Sequence, residues 1–133
     1  GTNYRAYQEG PVTFRFILRP HRKSSPAEQH RFAAGFSNPL VAGRPTAGAA
    51  REESLLRLSS PEVLATALKP SDDGQAVIVR LFGAGGKTVS TQLKWSRPAR
   101  VWSSDTSEKP LGEVSGAVTV PAWGVVTLRA VLD

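Results

Sequence analysis

The chain contains no cysteine. Without thiols there is no disulfide framework and no thiolate metal site, and reducing and oxidising compartments both stay open. Long apolar runs are also missing: none nears the roughly 18 residues of a membrane span, so no membrane partner is expected. The N-terminus has no charged, apolar, cleavable signal pattern. Its opening Gly1-Thr2-Asn3 reads as the cut end of a longer chain, so the compartment of a parent protein stays open, the cytoplasm being one candidate. Histidine is scarce. His21 and His30 show neither a His-x-Asp pair nor a His-x-x-x-His helix, so no metal set is read from them. No Gly-x-Ser-x-Gly elbow is present, and Gly83, Gly85 and Gly86 are not followed by the helix of a phosphate loop.

What is abundant points to strands and turns. Ten prolines and twelve glycines among 133 residues, with few helical runs, favour an all-β chain of about one domain. The formal charge of +6 is uneven: residues 1–60 carry +5 and residues 61–133 carry +1. A basic face can meet nucleic acid or another domain. Aromatic interleaving and a basic motif are absent, so nucleic acid is not the expected partner.

Residues 61–95, PEVLATALKPSDDGQAVIVRLFGAGGKTVSTQLKW, organise the rest. Val63–Lys69, Gln75–Phe82 and Thr88–Trp95 read as three strands of a β-meander. In the middle one, Val77, Val79 and Leu81 alternate with Ile78, Arg80 and Phe82, so both faces are largely apolar and the strand belongs inside a sheet. Ser71-Asp72-Asp73-Gly74 supplies short polar side chains and a glycine free to take positive φ; Gly83, Gly85 and Gly86 are read as the same device in the next turn. The predicted core is Val77, Val79, Leu81, Leu93, Val126 and Leu128.

This stretch resembles the last domain of glycoside hydrolase family 38, the retaining zinc-dependent α-mannosidases. The similarity lies in Leu68-Lys69-Pro70 leading into an acidic glycine turn, then Val79-Arg80-Leu81-Phe82, and at the end Trp123-Gly124-Val125-Val126-Thr127-Leu128-Arg129. Pro20-His21 and Asn38-Pro39-Leu40 fall in the family's order upstream. The resemblance implies a non-catalytic C-terminal domain that packs against preceding domains of the same polypeptide. It also implies a parent that hydrolyses α-mannosides with zinc held in an earlier domain. The family's His-x-Asp zinc motif has no counterpart here, so no catalytic residue carries over and no cofactor is expected in this chain.

The remaining elements follow from local signals. Pro11–Pro20, PVTFRFILRP, alternates Val12, Phe14, Phe16 and Leu18 with Thr13, Arg15, Ile17 and Arg19 and is predicted to be a strand. Ser24-Ser25-Pro26 opens a two-turn helix over Ala27–Ala34, ended by Gly35. Residues 41–51 read as a linker, and residues 3–9, with Tyr4 and Tyr7, are not placed. Strands are predicted at 53–58, 99–102, 110–114 (an edge), 116–120 and 124–132. The fold class is an all-β, immunoglobulin-like antiparallel β-sandwich with an N-terminal strand and short helix. Residues 1–45 form an N-terminal segment, 46–53 a linker and 54–133 the sandwich.

Two groups are weighed for chemistry. Asp72 and Asp73, adjacent on a turn, diverge too far to act as a glycosidase pair and are read as turn formers. Trp95, Trp102 and Trp123 are carbohydrate-binding candidates, because exposed aromatic faces stack on pyranose rings. Core or interface packing is their competing role.

Overall fold

The computed structural model describes residues 9–23, 25–44 and 53–133. In chain order these carry α1 (Pro26–Ser37), β1 (Leu56–Leu58), β2 (Val63–Pro70), β3 (Val77–Gly83), β4 (Val89–Thr91), β5 (Leu93–Trp95), β6 (Ala99–Ser104), β7 (Pro110–Glu113), β8 (Val118–Val120) and β9 (Val125–Leu132). The linker reading of residues 46–52 and the unplaced residues 3–8 lie outside the described residues.

The doubly apolar β3 lies where its sequence demands. Val79 faces Leu68 of β2 on one side and Leu128 of β9 on the other, in antiparallel register. The sheet runs β2-β3-β9-β6-β7. Val79 and Leu81 point into the core with no exposed surface, and Ile78 is buried on the opposite face. Two short antiparallel ladders, β1-β5 and β4-β8, supply the second layer. Val118 and Val120 of β8 meet Val63, Val79, Leu81, Val101, Leu128 and Ala130 of the large sheet. Leu56, Leu58, Leu93 and Trp95 pack against this cluster from the side of the short ladders. The result is an antiparallel β-sandwich. Each fully buried aliphatic side chain contributes about 1.5–3 kcal/mol of hydrophobic stabilisation. Of the predicted core, Val79, Leu81 and Leu128 are buried, while Val77, Leu93 and Val126 are half-buried and pack on it.

The meander is corrected in its third strand. Thr88–Trp95 breaks at Gln92 into β4 and β5, which pair with β8 and β1, leaving the second side of β3 to β9. Side chains from the β1–β2 turn hold the break. Gln92 N–H donates to Ser59 Oγ (2.9 Å), Ser59 N–H donates to the Gln92 carbonyl (3.1 Å), and Ser60 N–H donates to Thr91 Oγ1 (3.1 Å). The turn glycines also divide by role. Gly74 and Gly86 take positive φ (71° and 74°). Gly83 and Gly85 do not; a β-carbon there would collide with the Pro121 carbonyl and the Glu62 side chain, so they permit close approach.

The predicted strand over Pro11–Pro20 is not formed. No described strand pairs with it, and strand geometry without a ladder leaves every backbone group to solvent. Phe14 and Phe16 stack on each other at 6.5 Å. The helix is longer than predicted. Ser25 Oγ accepts from Glu28 N–H (3.4 Å) at its start, and α1 continues through Gly35 to Ser37. It stops at Asn38, whose N–H and Nδ2 both donate to the Ala34 carbonyl. Pro39, rather than Gly35, ends it, because a proline disfavours helical geometry in the residue before it. The helix contacts β2. His30 sets its ring edge-on to Phe82 (5.2 Å, 77°) and the Arg31 guanidinium donates to the Pro61 carbonyl.

Candidate functional site

Strand parity separates the three tryptophans. Trp95 ends β5 facing inward and packs against the core, where its indole nitrogen is buried without a hydrogen-bond partner. That takes its ring out of any surface platform. Trp102 lies on β6 opposite Arg129, half-buried, with the Arg100 guanidinium 5.6 Å over its ring. Trp123 stands in the tight turn between β8 and β9. Trp102 sits level with Ile78 of β3, and Trp123 N–H bonds the Gly83 carbonyl at the other end of that strand. Five strand residues, about 17 Å, separate the two levels, so they form no common surface.

Trp123 has the least comfortable backbone of the three. Its φ is +54°, a left-handed conformation that costs an ordinary L-residue about 1–2 kcal/mol. Three backbone hydrogen bonds fix it: Trp123 N–H to the Gly83 carbonyl (2.9 Å), Gly83 N–H to the Gly124 carbonyl (3.0 Å) and Gly124 N–H to the Pro121 carbonyl (3.0 Å). The residue as a whole is 54% exposed. The indole lies against Gly86 and, at 6.3 Å between centroids, beside Phe82. Phe82 in turn meets His30, so α1, β3 and the β8–β9 turn build one aromatic corner.

At the opposite end of the sheet lies a polar cluster that sequence reasoning missed. Glu108 also has positive φ (62°) and a side chain only 8% exposed. Its carboxylate pairs with Lys69 Nζ at 2.5 Å and accepts from Asp72 N–H at 2.9 Å. These two contacts, in that order, hold its pKa below the ordinary value. The Glu108 carbonyl accepts from Arg129 Nη1 (3.2 Å), whose Nη2 reaches Asp73 at 2.7 Å. Hydrogen bonds from Ser71 Oγ and Gln75 N–H, with that from Arg129, lower the Asp73 pKa to about 2. Lys69 is raised above its ordinary value, first by Glu108 and then by Asp72. The only sequence signal was the acidic turn itself; nothing local marks Glu108 as its partner across 36 positions.

This cluster lines a concavity of about 280 Å³, but its groups are already engaged with one another. Asp72 turns to Lys69 and Asp73 to Arg129, so the two carboxylates diverge. Ser71 Oγ donates to Asp73 (2.6 Å) and accepts from Ala76 N–H (2.9 Å), leaving it no role as a nucleophile. His21 bonds the Lys23 carbonyl and His30 sits on Phe82. Among the described residues no three His, Asp or Glu side chains gather as a metal set.

A family model described as the glycosyl hydrolases family 38 C-terminal beta sandwich domain matches residues 62–128, half of the chain. The matched span runs from the start of β2 into β9. No curated protein matches the chain.

Proposed function

The chain belongs to the family of C-terminal β-sandwich domains of family 38 glycosyl hydrolases, and on that premise we propose that its role is structural. It works as a non-catalytic domain that packs against preceding domains of an α-mannosidase-like polypeptide and helps fix the catalytic domain. The parent hydrolyses α-mannosides with zinc held in that earlier domain. On this reading residues 1–45 close a preceding β-domain or pack on the sandwich, 46–53 link, and 54–133 form the sandwich.

The observation that carries this reading is the unpartnered segment before α1. In it Phe16 and Leu18 are 85% and 90% exposed and Phe14 is exposed as well; Leu40 and Val41, after α1, are also exposed. Large apolar side chains exposed together along one segment, with Phe14 stacked on Phe16, mark an interaction site. The segment also has a strand's alternation without a ladder, which suits it to complete a sheet contributed by another domain.

Amide hydrogen exchange tests the proposal. Residues 11–20 are expected to exchange freely in this chain and to be protected in the longer polypeptide that includes the preceding domains. Free exchange in both would overturn the interdomain reading.

A further inference from the structure

We propose that the Trp123 corner is a binding site for a pyranose sugar, with the apolar C–H face of the ring stacked on the indole and a hydroxyl held by Glu62. The proposal does not rest on interdomain packing. It begins from a residue in the wrong place for stability alone: a bulky aromatic at φ +54°, in a turn where a glycine or asparagine would sit without strain. Strain of this kind persists where the surroundings over-determine it, and it clusters at binding sites. Here the surroundings comprise the three backbone bonds of the Gly83–Gly124 junction.

The strained turn presents the ring. A β-carbon at Gly86 would lie 3.0 Å from Trp123 Cζ2 and 3.3 Å from Cε2, so the glycine forms a floor under the indole while the remaining surface meets solvent. Phe82, tilted 43° to the indole, borders it on one side, with His30 edge-on behind Phe82. An aromatic serving only the core would turn inward, as Trp95 does.

A stacking face alone gives little selectivity; sites of this kind add a few placed polar groups. Glu62 supplies one. Its half-buried side chain lies against Gly85, next to the Gly86 floor. Its backbone N–H and carbonyl are taken by Ser60 Oγ and Ala84 N–H, but no described residue pairs with its carboxylate. A free acceptor beside an open aromatic face matches a ring that is apolar on one side and bears hydroxyls around its edge.

The test is an NMR titration of the chain with methyl α-mannopyranoside, methyl β-glucopyranoside and, as an open-chain polyol, sorbitol. The three indole N–H signals are assigned by single Trp→Phe variants. The Trp123 signal is expected to move saturably with at least one pyranoside and not with sorbitol, while Trp95 and Trp102 stay still. Read at the Gly86 amide, Trp123→Ala is expected to abolish binding. Glu62→Gln is expected to weaken it about tenfold, as loss of a hydrogen bond to a charged group does. An unchanged thermal midpoint in Glu62→Gln separates this loss from misfolding. Absence of saturable movement up to about 100 mM pyranoside, equal movement with sorbitol, or binding that survives Trp123→Ala would each overturn the proposal.

Discussion

Residues 11–20 and residues 76–83 carry nearly the same pattern. Phe-Arg-Phe-Ile-Leu-Arg and Val-Ile-Val-Arg-Leu-Phe both alternate and both have one wholly apolar face; the other face carries Arg15, Ile17 and Arg19 in the first and Ile78, Arg80 and Phe82 in the second. One becomes β3, flanked by β2 and β9; the other forms no strand and leaves Phe16 and Leu18 in solvent. Alternation states which faces a strand would have. Whether the strand exists depends on partners for its N–H and C=O groups. The Pro61–Glu62 junction places Val63 beside Gly83 and starts the β2 ladder, whereas Pro11 and Pro20 bracket a segment to which no described strand returns.

The two regions differ most in what a truncation costs. Leu81→Ala is expected to cost about 2–5 kcal/mol in urea denaturation, since the side chain is fully buried. Phe16→Ala in the same chain is expected to stay within about 0.5 kcal/mol. A comparable loss for Phe16 would show that the segment folds against the sandwich. Glycines sharpen the contrast at the next level. Gly83→Ala pushes a β-carbon into the Pro121 carbonyl and is expected to cost about 1–3 kcal/mol. Gly35→Ala meets nothing within 4 Å and is expected to stabilise α1 by about 0.5–1 kcal/mol, seen as slower amide exchange in that helix. Ser25→Ala, which removes the cap on Glu28 N–H, is expected to cost α1 about 0.5–1 kcal/mol and to leave the sandwich midpoint unmoved.

The smallest effect is pH dependence. Asp73 and Glu108 have folded pKa values below their ordinary ones, Asp73 at about 2. Their stabilisation is complete above the unfolded values of 3.8 and 4.5 and is lost as pH falls through the folded ones. The midpoint of thermal unfolding is therefore expected to drop between about pH 4.5 and pH 2, and less so in Asp73→Asn. Lys69 acts with the opposite sign: its share is present below 10.5 and fades only as pH rises beyond that.

Local chemistry was legible wherever the determinant was local. The Ser25-Pro26 helix start, the Ser71–Gly74 turn, the interior place of β3 and the edge place of β7 all rest on residues within a few positions of one another. What escaped was set across the chain. The break at Gln92 depends on Ser59 and Ser60, over thirty positions earlier. Trp95, between Lys94 and Ser96, has polar neighbours in sequence and Trp123, between Ala122 and Gly124, has small apolar ones, yet the first packs inward and the second is exposed. Gly83 and Gly85 carried the composition of a flexible turn, but their role is steric. Only the folded neighbours, Pro121 and Glu62, disclose it.

Every ion pair among the described residues gathers at one end of the large sheet. Lys69 belongs to the outer strand β2, Glu108 leads into the outer strand β7, and Arg129 on the middle strand β9 holds Glu108 and Asp73 together. Mechanically the sheet has an ionic clasp at that end; at the other, where Gly83 meets Trp123 and Gly124, it is joined by backbone bonds and by the Phe82–Trp123 and His30–Phe82 ring contacts. Charge thus closes one end of the sheet and aromatic contact the other, so salt screens the first end and not the second.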